Sequence, residues 1–304
     1  MRLTRRQLLG GALAGGALAL GGLGAGWAEA AWGLNIAHWR PEPPDWPQDL
    51  PLRIVVLADL HAAPPQVDLD RVAGLVATAN ALGGDLIALM GDHLGSHPFV
   101  TGRYQPADVV ARLADLRAPL GVWGVVGNHD WKSDWEAMRA RSPTCLWHRL
   151  LPEAGIEVLG NRAAPLRHRG RRIWLAGLES RLAYWPVGKG GAHDPARALA
   201  PLAGDDAPAI LLAHEPDLFA RLPERVALMI AGHTHGGQAR ILGRSPLAPG
   251  RYGQRYAYGL VAEGRRRLVV SGGIGCSTLP LRLNMPPELT VIDLGPPRQG
   301  SERV

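Results

Sequence analysis

Three short apolar runs, each breaking off at polar side chains, constrain this chain more than any other feature. Arg53-Ile54-Val55-Val56-Leu57-Ala58 stops at Asp59-Leu60-His61, residues Asp85 to Met90 stop at Gly91-Asp92-His93, and Gly121 to Val126 stops at Gly127-Asn128-His129-Asp130. Runs this apolar and β-branched fit strands buried on both faces. Between them Leu69 to Leu82 carries helical spacing at Leu69, Val72, Ala73, Val76 and Ala79 before Gly83-Gly84, and Ala107 to Leu116 repeats the habit. The order βαβαβ predicts a parallel sheet with right-handed crossovers. Such sheets bind ligands at the strands' carboxyl ends, where these polar residues fall.

The second half has a different texture. Glu157 to Leu159, Leu166 to His168 and Arg171 to Leu178 read as short, hairpin-like strands with Arg169-Gly170 as a turn. Glu179 to Asp206 is a Gly/Pro-rich insertion long enough to shape a substrate rim. Ala209 to Ala213 ends at His214-Glu215-Pro216-Asp217, and Val226 to Ala231 ends at Gly232-His233-Thr234-His235-Gly236-Gly237. Arg267 to Ser271 and Leu289 to Leu294 supply the last strands, and no internal repeat is visible.

The side chains gathered past strand ends are Asp59, His61, Asp92, Asn128, His129, His214, His233 and His235. The two cysteines, Cys145 and Cys276, lie far from any CxxC spacing, so a metal here is held by His, Asp and Asn. Oxygen and imidazole donors without thiolate suit Mn, Fe or Zn. Seven of these as direct donors exceed one tetrahedral shell and suit two ions, with a carboxylate between them and a water activated for attack. Phosphate esters are the natural substrate, because two cations neutralise charge during in-line displacement at phosphorus.

The order Asp59-x-His61, Gly91-Asp92, Gly127-Asn128-His129-Asp130, His214, Gly232-His233-x-His235 resembles the calcineurin-like metallophosphoesterase superfamily, from Arg53 to Leu294. Gly232 to Gln238, Ser271-Gly272-Gly273-Ile274-Gly275, Leu281-Arg282 and Pro286-Pro287-Glu288-Leu289 resemble its exported bacterial phosphodiesterase branch. The resemblance implies a four-layer α/β/β/α sandwich of two mixed sheets over residues 52–296. It implies two divalent ions, with Asp59, His61 and His235 on one, Asn128, His214 and His233 on the other, and Asp92 bridging. It also implies His129 beside the scissile phosphate, with Asp130 orienting it. His93 departs from the relatives' usual apolar or small residue, which points to a place in the pocket or an influence on metal preference. A runner-up activity is pyrophosphohydrolysis of a nucleotide-linked acylated sugar at a membrane face, which an apolar groove around Trp185 would favour. From another class, a cell-envelope binding protein with structural metals would lack the need for His129.

Before this domain, Thr4-Arg5-Arg6-Gln7-Leu8-Leu9 opens a Gly/Ala/Leu stretch that ends near Ala28-Glu29-Ala30. Paired arginines ahead of a weakly apolar, glycine-rich core resemble a twin-arginine signal over residues 1–30. The expected partners are the export machinery and a phosphate ester, lipid- or nucleotide-linked. The expected location is the periplasm or the outer face of the cytoplasmic membrane, and the expected state a monomer. The same run read as a retained anchor is weakened by its glycines. Residues 31–51, with Trp32, Trp39, Trp46 and several prolines, read as an extended lead-in strap packed on the domain surface, and residues 297–304 as a polar tail. Of the formal charge of +6, Arg2, Arg5 and Arg6 against Glu29 contribute +2, leaving a mild balance. The runs Arg167 to Arg172 and Arg265-Arg266-Arg267 lack interleaved aromatics and read as solvated strand ends, so no specific nucleic-acid binding is expected. His148, His168 and His193 read as surface residues, and Cys145 and Cys276 as buried and free. Glu215 and Asp217 read equally as supports of the site or as surface acids.

Overall fold

The computed structural model describes residues 21–188 and 190–297. The paired arginines therefore lie outside the described residues. A helix over residues 21–32 (α1) leads into β1 (Asn35–Trp39) and β2 (Leu52–Leu57), then α2 (Leu69–Ala81), β3 (Leu86–Leu89), α3 (Pro106–Leu113) and β4 (Val122–Gly124). Next come α4 (Asn128–Lys132), α5 (Trp135–Ala140), α6 (Trp147–Glu153), β5 (Ile156–Val158), β6 (Arg162–His168) and β7 (Arg171–Gly177). The rest is α7 (Pro195–Leu199), β8 (Ala209–Leu212), β9 (Leu228–Ala231), β10 (Gly259–Glu263), β11 (Arg266–Val270) and β12 (Glu288–Leu294). Among the described residues, no helix is long and apolar enough to cross a membrane.

The strands form two six-stranded sheets, ordered β1-β12-β2-β3-β4-β5 and β10-β11-β9-β8-β7-β6. Both are mixed: β2, β3, β4 and β5 run parallel, as do β7, β8, β9 and β11, while β12 opposes β2, β6 opposes β7 and β10 opposes β11. Period-two alternation divides the burial. Ile54 and Val56 face Leu175, Ile210, Leu212 and Ile230 of the other sheet, while Val55 and Leu57 face Val72, Leu75 and Val76 of α2. On the far side of the second sheet, Leu211, Met229 and Val270 pack against Phe219, Tyr256 and Ala198. This is the expected α/β/β/α sandwich, and burying each such Leu, Ile or Val stabilises it by about 1.5–3 kcal/mol.

Three local expectations change. The lead-in is not a strap throughout, because Asn35–Trp39 pairs in parallel with β12 as an edge of the first sheet. Within it Trp46 is buried and donates from Nε1 to Leu50 O at 2.8 Å, whereas Trp32 is exposed. Second, β5 is not hairpin-like: α6 precedes it, and a helical crossover returns the chain in parallel beside β4. Third, β6 and β7 do form the hairpin around Arg169-Gly170, both in left-handed backbone, but β6 begins four residues before Leu166. The arginines of that hairpin pair with acids, Arg171 with Asp49 and Arg172 with Asp205.

Candidate metal centre

Every expected donor lies just past a strand of one sheet or the other, so the two sheets bring them to a single crevice. Reaching it requires unusual backbone: Asp59 (φ 53°), His61 (φ 40°), Asp92 (φ 55°), His233 (φ 71°) and His235 (φ 53°) all adopt left-handed conformations. Backbone bonds between neighbouring loops hold these turns, with Asp59 N donating to Gly91 O at 3.1 Å and His61 N to Asp92 O at 2.9 Å. Gly127 explains itself here, because a β-carbon would overlap the Asp92 carboxylate.

The side chains converge as two groups that share Asp92. In the first, His61 Nε2 stands 3.2 Å from His235 Nε2 and 3.6 Å from Asp92 Oδ2, and His235 Nε2 stands 3.7 Å from Asp59 Oδ1. In the second, His214 Nε2 lies 3.2 Å from Asp92 Oδ2 and 3.2 Å from Asn128 Oδ1, while His233 Nδ1 lies 3.0 Å from the same amide oxygen. His129 sits alongside, its ring edge-on to His61 at 4.8 Å. Asp59–His61–His235, His61–Asp92–His129 and Asp92–His214–His233 each bring donor atoms within 4.8 Å of one another.

This chemistry fits divalent cations. Burial holds His61 down to about 3 and His233 to about 4, and burial with His61 nearby holds His235 well below the usual range, so these imidazoles are neutral donors at neutral pH. His214 donates from Nδ1 to Met90 O at 2.6 Å and His235 from Nδ1 to Gly275 O at 3.1 Å, which turns both Nε2 atoms to the crevice. Burial lowers His214, yet Asp92 and Asp59 push it well above its ordinary value. Burial raises Asp59 to about 7, whereas at Asp92 burial is outweighed by His214, His129 and His61, which hold it well below the carboxylate range. The site thus draws positive charge to its centre.

The supporting groups differ from expectation. Asp130 does not touch the His129 side chain; its carboxylate accepts from Gly127 N, Asp92 N and His93 N at 2.9 Å each and pairs with His93 Nδ1 at 3.0 Å. It therefore clamps the Asp92 loop to the Asn128–His129 turn. His93 does not line the pocket either, being buried with its ring stacked on Trp147 at 4.5 Å. Ser96 is the neighbour of His129, with Oγ 3.2 Å from Nδ1; a lone serine after a glycine carried no signal. Fully buried Arg282 was also missed as a support: it donates to Gly272 O and Gly275 O and lies 3.3 Å from His235 Nδ1. Glu215 is wholly buried and accepts from Ser180 and from Arg181 N, while Asp217 pairs with Arg181.

The insertion lines a cavity of about 550 Å³, with Leu182, Tyr252 and exposed Trp185 in its wall, and none of the expected metal donors lines it. Lys132, on the same helix as His129, stands 4.8 Å over the Trp185 ring. The three outlying histidines are not surface residues but half-buried: His148 pairs with Glu179 at 2.6 Å, and His168 bonds Pro51 O at 2.9 Å. Both cysteines are buried and free.

Two sheets with helices outside them and a Asp/His/Asn crevice at their carboxyl ends define a metal-dependent hydrolase of phosphate esters. The chain belongs to the calcineurin-like phosphoesterase family, whose sequence profile matches residues 52–237. It is 33% identical over 246 residues to Phosphodiesterase YaeI of Escherichia coli, covering 80% of this chain and 82% of that one. It is 30% identical over 244 residues to the uncharacterized metallophosphoesterase YkuE of Bacillus subtilis, covering 80% and 78%. The solved structure of NAD nucleotidase from Haemophilus influenzae overlaps 74% of this chain and 46% of its own at 15% identity, with a TM-score of 0.49.

Proposed function

We propose that this chain is an exported, two-metal phosphodiesterase. The observation that carries the reading is that the Asp92 carboxylate stands between two donor groups, its Oδ2 3.6 Å from His61 Nε2 on one side and 3.2 Å from His214 Nε2 on the other. Asp59, His61 and His235 would hold one ion, Asn128, His214 and His233 the other, and Asp92 both. Two such cations, of Mn, Fe or Zn, supply water activation and charge neutralisation for in-line displacement at phosphorus. The chain's own groups do the rest. His129 N donates to Asp92 Oδ1 at 2.7 Å, which fixes both the bridging carboxylate and the start of the His129 turn. Burial lowers the His129 pKa and keeps the ring neutral; with Ser96 Oγ donating to Nδ1, the N–H stands on Nε2, where it can donate a hydrogen bond to a phosphoryl or leaving oxygen. The similarity to Phosphodiesterase YaeI supports a diester over a monoester. The sequence of residues 1–30 supports export by the twin-arginine route to the periplasm or the outer face of the cytoplasmic membrane.

A panel of p-nitrophenyl mono-, di- and pyrophosphate esters, assayed with Mn, Fe, Zn and Mg, tests the activity. The diester should turn over fastest and stop on chelation. Inertness toward every ester with every metal would leave only a binding role. For export, replacing Arg5 and Arg6 together by Lys should strand active protein in the cytoplasm, since lysine lacks the guanidinium's geometry; unchanged surface activity would remove the route.

A further inference from the structure

We propose that the face beside His235 seats on an anionic lipid bilayer, and that the apolar cavity within it receives an acyl chain, so that a membrane lipid presents its phosphate ester to the metal centre. The inference rests on the phosphoesterase reading of that centre. The cavity measures about 760 Å³, within the size range of ligand pockets, and His235 forms one of its walls. Leu23 of α1 and Leu247, Leu279, Leu281 and Leu283 form much of the remainder, so its interior is a hydrocarbon surface opening directly on a metal donor.

Its outer edge is what a soluble surface normally avoids. Leu242 is 99% exposed, Leu247 75%, Ile241 59% and Leu23 52%, on neighbouring segments rather than scattered singly. Charge supports a bilayer as the occupant. From Thr234 to Ala262 there is no Asp or Glu, while Arg240, Arg244, Arg251 and Arg255 are present. Apolar tips flanked by arginines match an anionic headgroup layer over hydrocarbon. Arg255 is engaged with Glu263 and Arg240 lies over Tyr258, but Arg244, beside the Ile241-Leu242 tip, is exposed. The loop is also anchored, with Arg240 N donating to Leu283 O at 2.9 Å and Ser245 N to Gln254 Oε1 at 3.0 Å, so the tip is presented rather than free. Finally, the described part of α1 starts at this rim, with Gly22 and Gly26 in the cavity wall, and residues 7–20 before it contain no charged side chain.

The test uses the full chain with Leu242→Cys carrying an environment-sensitive fluorophore, the native cysteines being buried. Vesicles of phosphatidylcholine with phosphatidylglycerol should shift emission to the blue, more than phosphatidylcholine alone. No shift overturns the proposal, and so does emission already blue without vesicles and unmoved by them, which would mean protein covers the tip. In a second arm, Ile241→Asp with Leu242→Asp should leave hydrolysis of soluble bis(p-nitrophenyl) phosphate unchanged. The same variant should slow hydrolysis of a vesicle-embedded long-chain p-nitrophenyl phosphodiester by about tenfold or more, as loss of two buried aliphatic groups requires. Equal rates on the embedded ester in variant and parent overturn it. Failure of the parent on the soluble diester would instead refute the phosphodiesterase reading, leaving the emission arm to decide docking.

Discussion

Replacing Asp130 by Asn separates two accounts of how this residue serves the site. The carboxylate is wholly buried and accepts four hydrogen bonds, three of them on Oδ2 from Gly127 N, Asp92 N and His93 Nδ1, and one on Oδ1 from His93 N. An amide with its oxygen in the Oδ2 position keeps three but turns its NH2 group against His93 N; reversed, it keeps one. The lost buried acceptor costs about 1–3 kcal/mol, and the remaining bonds lose their charge assistance, so a total near 3 kcal/mol is expected. For a domain of this size that is a fall of about 6–12 °C in the unfolding midpoint. Because the clamp joins the Asp92 loop to the Asn128–His129 turn, the variant should also hold metal less tightly. Scanning calorimetry of chelated and metal-loaded protein, with metal analysis by mass spectrometry, measures both effects. An unchanged midpoint and metal content with a depressed kcat would refute the clamp and restore an orienting role toward His129.

Asp92→Asn should remove one or both ions and abolish turnover, since a neutral amide cannot balance two cations; two metals per chain with near-normal kcat would exclude Asp92 as the bridge. His129→Gln should keep fold and metals yet slow catalysis by about 10²–10⁴, most for poor leaving groups. A Brønsted slope equal to that of the parent would assign His129 to the phosphoryl oxygens instead of the leaving oxygen. His148→Gln tests a pH-linked contact away from the site: burial opposes its protonation, but the Glu179 contact raises it above its ordinary value. A raised folded-state value contributes stability that is full below about pH 6.5 and lost as pH climbs through that value. The stability gap between parent and variant should therefore shrink from mildly acidic to alkaline pH, and a gap that widens would refute it.

The parallel core was legible because β2, β3, β8 and β9 are buried on both faces and so read as unbroken apolar runs. Edge strands were not. Asn35–Trp39 is buried only at Ala37, without an apolar run, and Gly259–Glu263 only at its glycine. Each is a strand because its neighbour offers a ladder, which is a tertiary fact that local pattern does not contain. The donors were legible by chemical type and by position after strands. Their supports were not, because Ser96 and Arg282 act through distances across 33 and 47 residues of sequence.

The backbone explains why the site's neighbourhood resists reading by propensity. Asp59, His61, Asp92, His233 and His235 are not glycine, yet all sit in left-handed backbone, a conformation that costs of order 1 kcal/mol or more for such residues. A chain choosing its conformation locally would place glycine there, and it does use glycine at Gly91, Gly236 and Gly237, between or beside the donors. The strained positions are those whose side chains must turn into the crevice, so the cost is met by interactions made only in the folded state. The loop-to-loop bonds from Asp59 to Gly91 and His61 to Asp92 are two of these, as are the His233 amide on the Asp59 carboxylate and the four bonds to Asp130. These bonds bind the loops to one another rather than to their own strands. Weakening one loop should therefore loosen donors on both sheets together, and the two metal positions should fail as a unit rather than in sequence.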